Sequence, residues 1–330
     1  MKITAITEHE RAEFDADADI TVLDAALAAG WEVPYSCRRG SCETCRATVV
    51  SGQVSPAADA DGTALLCHVR AVTDLTVAPL RLARRQGDAI KRITAKVYRV
   101  SWPAPDVAQV QLRFPAGVRV KFRAGQYLNV LLPDLAPRSF SMANAPKQSD
   151  GAVLHVRVVP GGVFGEQLKA GLEPGALLEL ELPLGDFYLR DDLPDRPVIL
   201  VAGGTGFAPM QSLLDDALAR SLQRAFALYW GARDPAGLYA LDVVAKWQRR
   251  HANFRFVGVV SDAVAAEGLR TGLVHQAVLH DVPDLSGHDV YVCGAPAMVQ
   301  AVRQDFAAAG MAADRCFADS FVSQADLGSA

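Results

Sequence analysis

Four of the six cysteines are spaced in a way that leaves this chain few folds to choose from. Cys37, Cys42 and Cys45 stand in one nine-residue stretch, Cys37-Arg38-Arg39-Gly40-Ser41-Cys42-Glu43-Thr44-Cys45, and 21 residues separate Cys45 from Cys67. The spacing C-x4-C-x2-C…C is the plant-type arrangement of four thiolates on two irons. A tight loop has to turn several thiols inward, and Gly40 supplies the backbone freedom and close approach that a side chain would block. Zinc is the alternative, but zinc sites use paired C-x2–4-C knuckles and one such close pair stands here. The start, MKITAITEHERAEF, has neither the basic nor the apolar region of a signal peptide. No run nears the ~18 apolar residues of a membrane span. The expected setting is therefore the cytoplasm, where disulfides are disfavoured. Arg38, Arg39 and Arg46 flank the ligands. Positive charge favours a reduced cluster, so these arginines are expected to raise a potential that otherwise lies near about −400 mV. Exposed solubilising charge is the competing reading.

At 330 residues and a net charge of −4, the chain has room for two or three domains and gives no reason to expect a nucleic-acid partner. Half of the residues are hydrophobic, too many for a disordered chain. Charge divides it further. Residues 1–80 carry a net −6, residues 81–92 (RLARRQGDAIKR) a net +4, and the rest a net −2. This reads as an acidic module, a basic connector and a nearly neutral body, with a short solvated helix as the other reading of the connector.

Patterning predicts three modules, at residues 1–84, 93–195 and 196–330, with residues 85–92 as linker. In the first, Lys2–Ile6 alternates as a strand, Val22–Ala29 has helical spacing, Ala47–Val50 and the residues after Ser51-Gly52 read as a hairpin, and Leu75–Ala78 as a closing strand. In the second, Thr94–Val100, Val107–Phe114, Tyr127–Leu132, Val153–Val159 and Leu177–Leu182 alternate between Pro and Gly breaks, as in an antiparallel barrel. In the third, Val198–Val201, Phe226–Trp230 and Phe256–Val260 are strands separated by helices near Met210–Ala219 and Leu241–Arg249, the rhythm of a parallel α/β sheet.

The last two modules carry ligand signals. Arg138-Ser139-Phe140-Ser141 sets a guanidinium, an aromatic ring and a hydroxyl together, suited to a phosphate and a flavin edge. His155-Val156-Arg157 leads to Gly161-Gly162-Val163, a pyrophosphate turn or an ordinary one. Gly203-Gly204-Thr205-Gly206-Phe207-Ala208-Pro209 follows a strand and opens a helix, a phosphate site in which Pro209 stands where G-x-G-x-x-G has its third glycine. Later strands end in Trp230-Gly231-Ala232-Arg233 and Cys293-Gly294-Ala295-Pro296. Cys316 reads as packing.

In this order the motifs resemble, over essentially the whole chain, the NAD(P)H-dependent reductase components of bacterial multicomponent oxygenases, within the ferredoxin–NADP reductase-like superfamily. The resemblance implies a β-grasp ferredoxin domain, an antiparallel Greek-key flavin barrel and a parallel α/β nucleotide domain, a multidomain α+β and α/β protein. It implies that Cys37, Cys42, Cys45 and Cys67 ligate a [2Fe-2S] cluster. Arg138, Ser139, Phe140 and Ser141, then His155, Val156, Arg157, Gly161, Gly162 and Val163, match FAD-binding positions. Gly204, Thr205, Gly206 and Pro209 match the dinucleotide turn, Arg233 lies at the nucleotide edge, and Cys293 and Gly294 match the pair beside the nicotinamide. Phe321 matches a terminal aromatic that covers the flavin, with core packing as its other reading. Ser141, Cys293 and Phe321 would thus flank the reacting rings. Phe140 replaces the family tyrosine and Gly165 a hydroxyl residue, weakening two flavin contacts, and the Cys45–Cys67 interval is short.

The implied reaction follows from electron counts. NADH delivers two electrons, a [2Fe-2S] cluster accepts one, and a flavin exchanges between them. The expected donor is NADH rather than NADPH, because Arg233 is followed by Asp234 where a 2′-phosphate wants a basic cluster. The expected acceptor is a Rieske, di-iron or haem terminal oxygenase acting on an aromatic or other organic compound. A reductase for a deoxysugar-forming dehydrase and a non-catalytic redox sensor are the alternatives. With no long exposed apolar stripe, the chain is expected to be a monomer.

Overall fold

The computed structural model describes residues 1–38, 40, 42–85, 89–133, 135–190, 196–262 and 267–321. The chain divides near residue 86 into two compact units.

The first unit holds β1 (Lys2–Ile6), β2 (Arg11–Asp15), α1 (Val22–Ala28), β3 (Trp31–Glu32), β4 (Arg46–Ser51), β5 (Val54–Ser55), β6 (Thr63–Leu65), β7 (Arg70–Ala71), β8 (Leu75–Pro79) and β9 (Ala83–Arg84). Its main sheet runs β2-β1-β8-β4-β6, with β1 and β8 parallel at the centre. Ile3 and Ala5 point into the core while Lys2 lies outside, the two-residue period of a half-buried strand. The helix begins where the Thr21 hydroxyl accepts from the Asp24 N–H, and it buries Val22, Leu23, Ala25, Ala26 and Leu27. A mixed sheet with one such helix is a β-grasp. The expected hairpin at Ser51-Gly52 does not form: β4 pairs with β6 and β8, while β5 leaves the sheet to pair with β7. Turn chemistry at Ser51-Gly52 ended the strand but did not choose its partner.

In the second unit, β10 (Lys91–Ala104), β11 (Val107–Arg113), β12 (Tyr127–Leu131), β13 (Arg138–Ser141), β14 (Gly151–Arg157) and β15 (Leu177–Leu184) form a sheet in the order β13-β12-β15-β10-β11-β14, with α2 (Val163–Lys169) following β14 and preceding β15 in the chain. A Met142–Leu154 bridge links the edge strands and closes the barrel. Ala95, Val97, Val110, Leu128, Val130, Leu154 and Leu180 fill its interior. Lys91 and Arg92, placed in the connector by their charge, instead pair with Leu182 and Glu181 as the first residues of β10.

A parallel sheet follows: β16 (Val198–Gly203), α3 (Phe207–Ala219), β17 (Phe226–Ala232), α4 (Leu241–Arg250), β18 (Phe254–Val260), β19 (Leu269–Thr271), α5 (Val274–Asp281), β20 (Asp289–Gly294), α6 (Pro296–Ala308) and β21 (Cys316–Ser320). Its order is β19-β18-β17-β16-β20-β21. The chain first moves outward from β16 through β17, β18 and β19, then returns to the other side of β16 as β20. The carboxyl ends of β16 and β20 therefore flank the point where the strand order reverses, the usual ligand crevice of such sheets.

Candidate functional site

In the first unit the cysteine loop is shaped by three residues with left-handed backbone: Arg38, Gly40 and Glu43, at φ of 54°, 76° and 58°. A Cβ on Gly40 would meet the His68 ring at an ordinary 3.7 Å, so its positive φ, not crowding, calls for glycine. The loop turns backbone donors toward sulfur. The Cys37 N–H reaches Cys42 Sγ at 3.4 Å, and the Gly40 N–H reaches Cys67.

The thiols meet as two pairs, Cys37 with Cys42 and Cys45 with Cys67. Hydrogen bonds to the partner thiols and burial push Cys42 and Cys45 well up as free thiols, while the bond from Cys45 pulls Cys67 down. Neighbouring thiolates this close need metal charge to be stable. Among the described residues no three His, Cys, Asp or Glu side chains are set around a single ion. Two thiol pairs suit two bridged irons better than one tetrahedral zinc.

The flanking arginines are not free charges. Arg38 is ion-paired with Asp24, and Arg46 reaches Glu43 at 2.9 Å and Asp59 at 2.6 Å. These carboxylates offset the field expected to raise the cluster potential. Arg39 lies outside the described residues.

In the second unit, Arg138 lies half-buried at the start of β13, donating to Ala136 O at 2.6 Å, and Ser139 Oγ reaches Asn129 Oδ1 at 2.8 Å. Phe140 is half-buried, its ring 5.1 Å from that of Phe164. Ser141 is buried at the strand end, its Oγ 3.5 Å from Asp319 Oδ2. On β14, Val156 faces the barrel core and Arg157 pairs with Asp106 at 2.5 Å. Gly161-Gly162 turns the chain into α2, with Gly162 as N-cap and Val163 first in the helix. A Cβ on Gly165 would crowd Val158 at 3.1 Å, so this position is closely packed and presents no hydroxyl.

His155 differs most from its sequence reading. The imidazole is enclosed by protein, with Nδ1 3.0 Å from Tyr239 Oη, Nε2 3.2 Å from Gln109 Nε2 and the ring stacked on Phe207. Burial pushes its pKa down to about 4, so the ring is neutral. Its side chain joins the barrel to the parallel sheet.

At the crevice, Gly204, Thr205 and Gly206 form a single turn of tight helix between β16 and α3, and Pro209 lies in the first turn of α3, where its missing N–H costs nothing. A Cβ on Gly206 would lie 2.1 Å from Cys293 O, and one on Gly294 would lie 3.2 Å from Gly203 Cα. The two strand ends thus approach each other backbone to backbone. Cys293 is fully buried, and burial, aided by the Asp319 charge, keeps its thiol well above the ordinary range. Asp319 pairs in register with Cys293 across β20 and β21, and the Phe321 N–H donates to Gly294 O at 2.8 Å. Phe321 packs half-buried against the core. Arg233 is exposed beyond β17, its carbonyl accepting from the Asp262 N–H.

The fold therefore brings Ser141, Cys293, Gly294 and Phe321 from separate segments to one place and adds Asp319, which the sequence reading passed over. Its one signal was an acid two residues before Phe321 in a buried strand. Tyr239 also went unread, being one aromatic among many.

Residues 6–72 match the 2Fe-2S iron-sulfur cluster binding domain, residues 95–188 the oxidoreductase FAD-binding domain and residues 200–304 the oxidoreductase NAD-binding domain. The chain is 43% identical over 314 residues to terephthalate 1,2-dioxygenase reductase component 1 of Comamonas sp, covering 91% of this chain and 92% of that protein. It is 36% identical to the CDP-6-deoxy-L-threo-D-glycero-4-hexulose-3-dehydrase reductase of Yersinia pseudotuberculosis, covering 94% and 95%. The crystal structure of the Amycolatopsis cytochrome P450 reductase GcoB matches with a TM-score of 0.81 at 34% identity, covering 98% of this chain and 99% of that one. The thiol pairs and the glycine-lined crevice have the donors these domain types require. The chain belongs to the family of flavin and iron–sulfur oxidoreductases, among them the reductase components of oxygenases, that join a 2Fe-2S domain, an FAD-binding domain and an NAD-binding domain in one polypeptide.

Proposed function

We propose that this reductase serves a terminal oxygenase acting on an aromatic compound, takes NADH in preference to NADPH, and works as a cytoplasmic monomer. The observation that carries the reading is the meeting of Ser141, Asp319 and Cys293 beside the crevice between β16 and β20. The oxygenase acceptor rests on the 43% relative named as a dioxygenase reductase component; the dehydrase reductase, at 36%, is more distant. Among the described residues no helix is long and apolar enough to cross a membrane.

A flavin bound here would supply the exchange between the two electrons of NADH and the single electron a [2Fe-2S] cluster takes. The chain's part is to bind, orient and exclude water. Cys37, Cys42, Cys45 and Cys67, whose thiols meet as two pairs, would hold the irons. Arg138 and Arg157 supply charge for flavin phosphates, and Phe140 and Ser141 border the flavin ring. The N–H groups of Gly204, Thr205 and Gly206 receive the dinucleotide phosphates at the start of α3. Gly294, with the buried un-ionised Cys293 thiol packed beside it, lies at the base of the nicotinamide site, and Phe321 covers that site. Asp319 orients the Ser141 hydroxyl. His155, with its ring engaged by protein, is a joint and not a flavin ligand. The acids Asp234 and Asp262 beside Arg233 disfavour a 2′-phosphate. Strand pairing favours a domain join before Lys91, between residues 85 and 90.

The test is steady-state ferricyanide reduction by the holoprotein with NADH and with NADPH, followed by reconstitution with a purified aromatic-ring oxygenase. Turnover in the common range of about 1–1,000 per second with NADH is expected. A rate near ~0.01 per second would favour the sensor reading instead.

A further inference from the structure

His155, Gln109 and Tyr239 form a hydrogen-bonded chain whose polarity can be worked out. The Gln109 amide nitrogen faces His155 Nε2 at 3.2 Å, so Nε2 accepts. The ring is buried and neutral and carries one proton, which must then sit on Nδ1. Nδ1 lies 3.0 Å from Tyr239 Oη, so the imidazole donates and the phenol accepts. Among the described residues His155 is the one hydrogen-bond partner of this hydroxyl. Its own proton is thereby left without an acceptor among the described protein groups, on a side chain that is only partly buried.

The surroundings of the hydroxyl indicate what would accept that proton. The Tyr239 ring is clamped edge-on by Trp230 at 5.2 Å and Phe207 at 6.1 Å, and Trp230 Nε1 holds Gly204 O at 2.9 Å. The charged or ionisable groups that bear on the phenol are Arg157 and Cys293. Arg157 in turn lies 3.3 Å from where a Cβ of Gly204 would be. Through Trp230 the Tyr239 ring is tied to the Gly204 turn, which with Arg157 and Cys293 borders the dinucleotide crevice.

We infer that Tyr239 is a binding residue for the nicotinamide dinucleotide, its hydroxyl donating to an oxygen of the pyrophosphate and held in that polarity by Gln109 and His155. The dinucleotide brings the anionic acceptor that the protein lacks there, next to the Arg157 cation and the N–H groups of the turn. This inference rests on the reading that NADH occupies the crevice. It adds a donor from the segment after β17, oriented by two barrel side chains, Gln109 and His155.

Two measurements on the holoprotein test it. In long-range nitrogen–proton NMR with labelled histidine, His155 should be protonated on Nδ1; protonation on Nε2 reverses the chain and overturns the inference. Binding of NAD+ to the wild type and to Tyr239→Phe should be measured by calorimetry, with flavin and iron contents showing that both are intact. A charge-assisted hydrogen bond is worth about tenfold in affinity or more, so the variant should bind about tenfold more weakly. A weakening of fivefold or more supports the inference, and anything smaller overturns it. If the wild type itself binds no NAD+ and its flavin is not bleached by NADH, the reading of the crevice fails first, which is a different result from equal binding by both proteins.

Discussion

Cys293 is a cysteine whose chemistry is set by what surrounds it. With no exposed surface and the Asp319 charge nearby, its thiol stays protonated across the physiological range. Iodoacetamide applied to the native holoprotein between pH 6 and 9 should leave Cys293 unmodified, as read by peptide mass mapping. Rapid labelling at pH 7 would show a thiolate and contradict the burial argument. His155 makes the opposite kind of statement. Its pKa falls from 6.5 to about 4 on folding, so the unfolded chain takes up the proton first as the pH drops. The stability this neutral ring contributes is whole above pH 6.5 and lost as pH falls toward 4, about 3 kcal/mol in all. The melting temperature of His155→Gln should fall less steeply over that window than that of the wild type. Equal slopes would show that His155 is not buried neutral. At this scale the sequence was informative where spacing carries the chemistry, as in the four cysteines. It was silent where a role depends on what packs nearby: His155 lay in a flavin-like run, and nothing local marks its contact with Tyr239, 84 residues away.

Among the elements, the joint between β16 and β20 is the most exacting. A methyl on Gly206 would lie 2.1 Å from Cys293 O, a separation that only backbone movement relieves. Gly206→Ala should abolish bleaching of the flavin by NADH while dithionite still reduces it, as followed by anaerobic absorbance. Normal bleaching by NADH would mean that the close approach is not required. Strands with a clear period, such as Lys2–Ile6 and Val107–Arg113, were legible from sequence. Short or weakly patterned pieces were not. Arg138–Ser141 has four residues and β19 three, too few for a period to show. Strand partners were less legible still: β5 follows β4 directly yet pairs with β7, because pairing is decided by long-range packing. Charge also misled, since Lys91 and Arg92 belong to the long strand that opens the barrel.

For the whole molecule, the order of modules was readable because each has its own period and its own motif, and the comparisons gave the same order. The acceptor was not, since the chemistry that would select it lies in another protein. The division of labour makes a separable prediction. Cys67→Ser should remove the electron paramagnetic resonance signal of the reduced cluster and the reduction of an oxygenase, yet keep NADH-driven flavin bleaching, because the flavin and nucleotide parts lie in the other compact unit. Loss of both activities would mean that the cluster supports the fold of the rest. The central claim, that NADH, flavin and cluster form one path within this chain, is tested most directly by anaerobic absorbance titration of the wild-type holoprotein with NADH. Joint bleaching of the flavin and iron–sulfur bands, at two electrons per NADH, is the expected result. A flavin that bleaches beside a cluster that stays oxidised would contradict it.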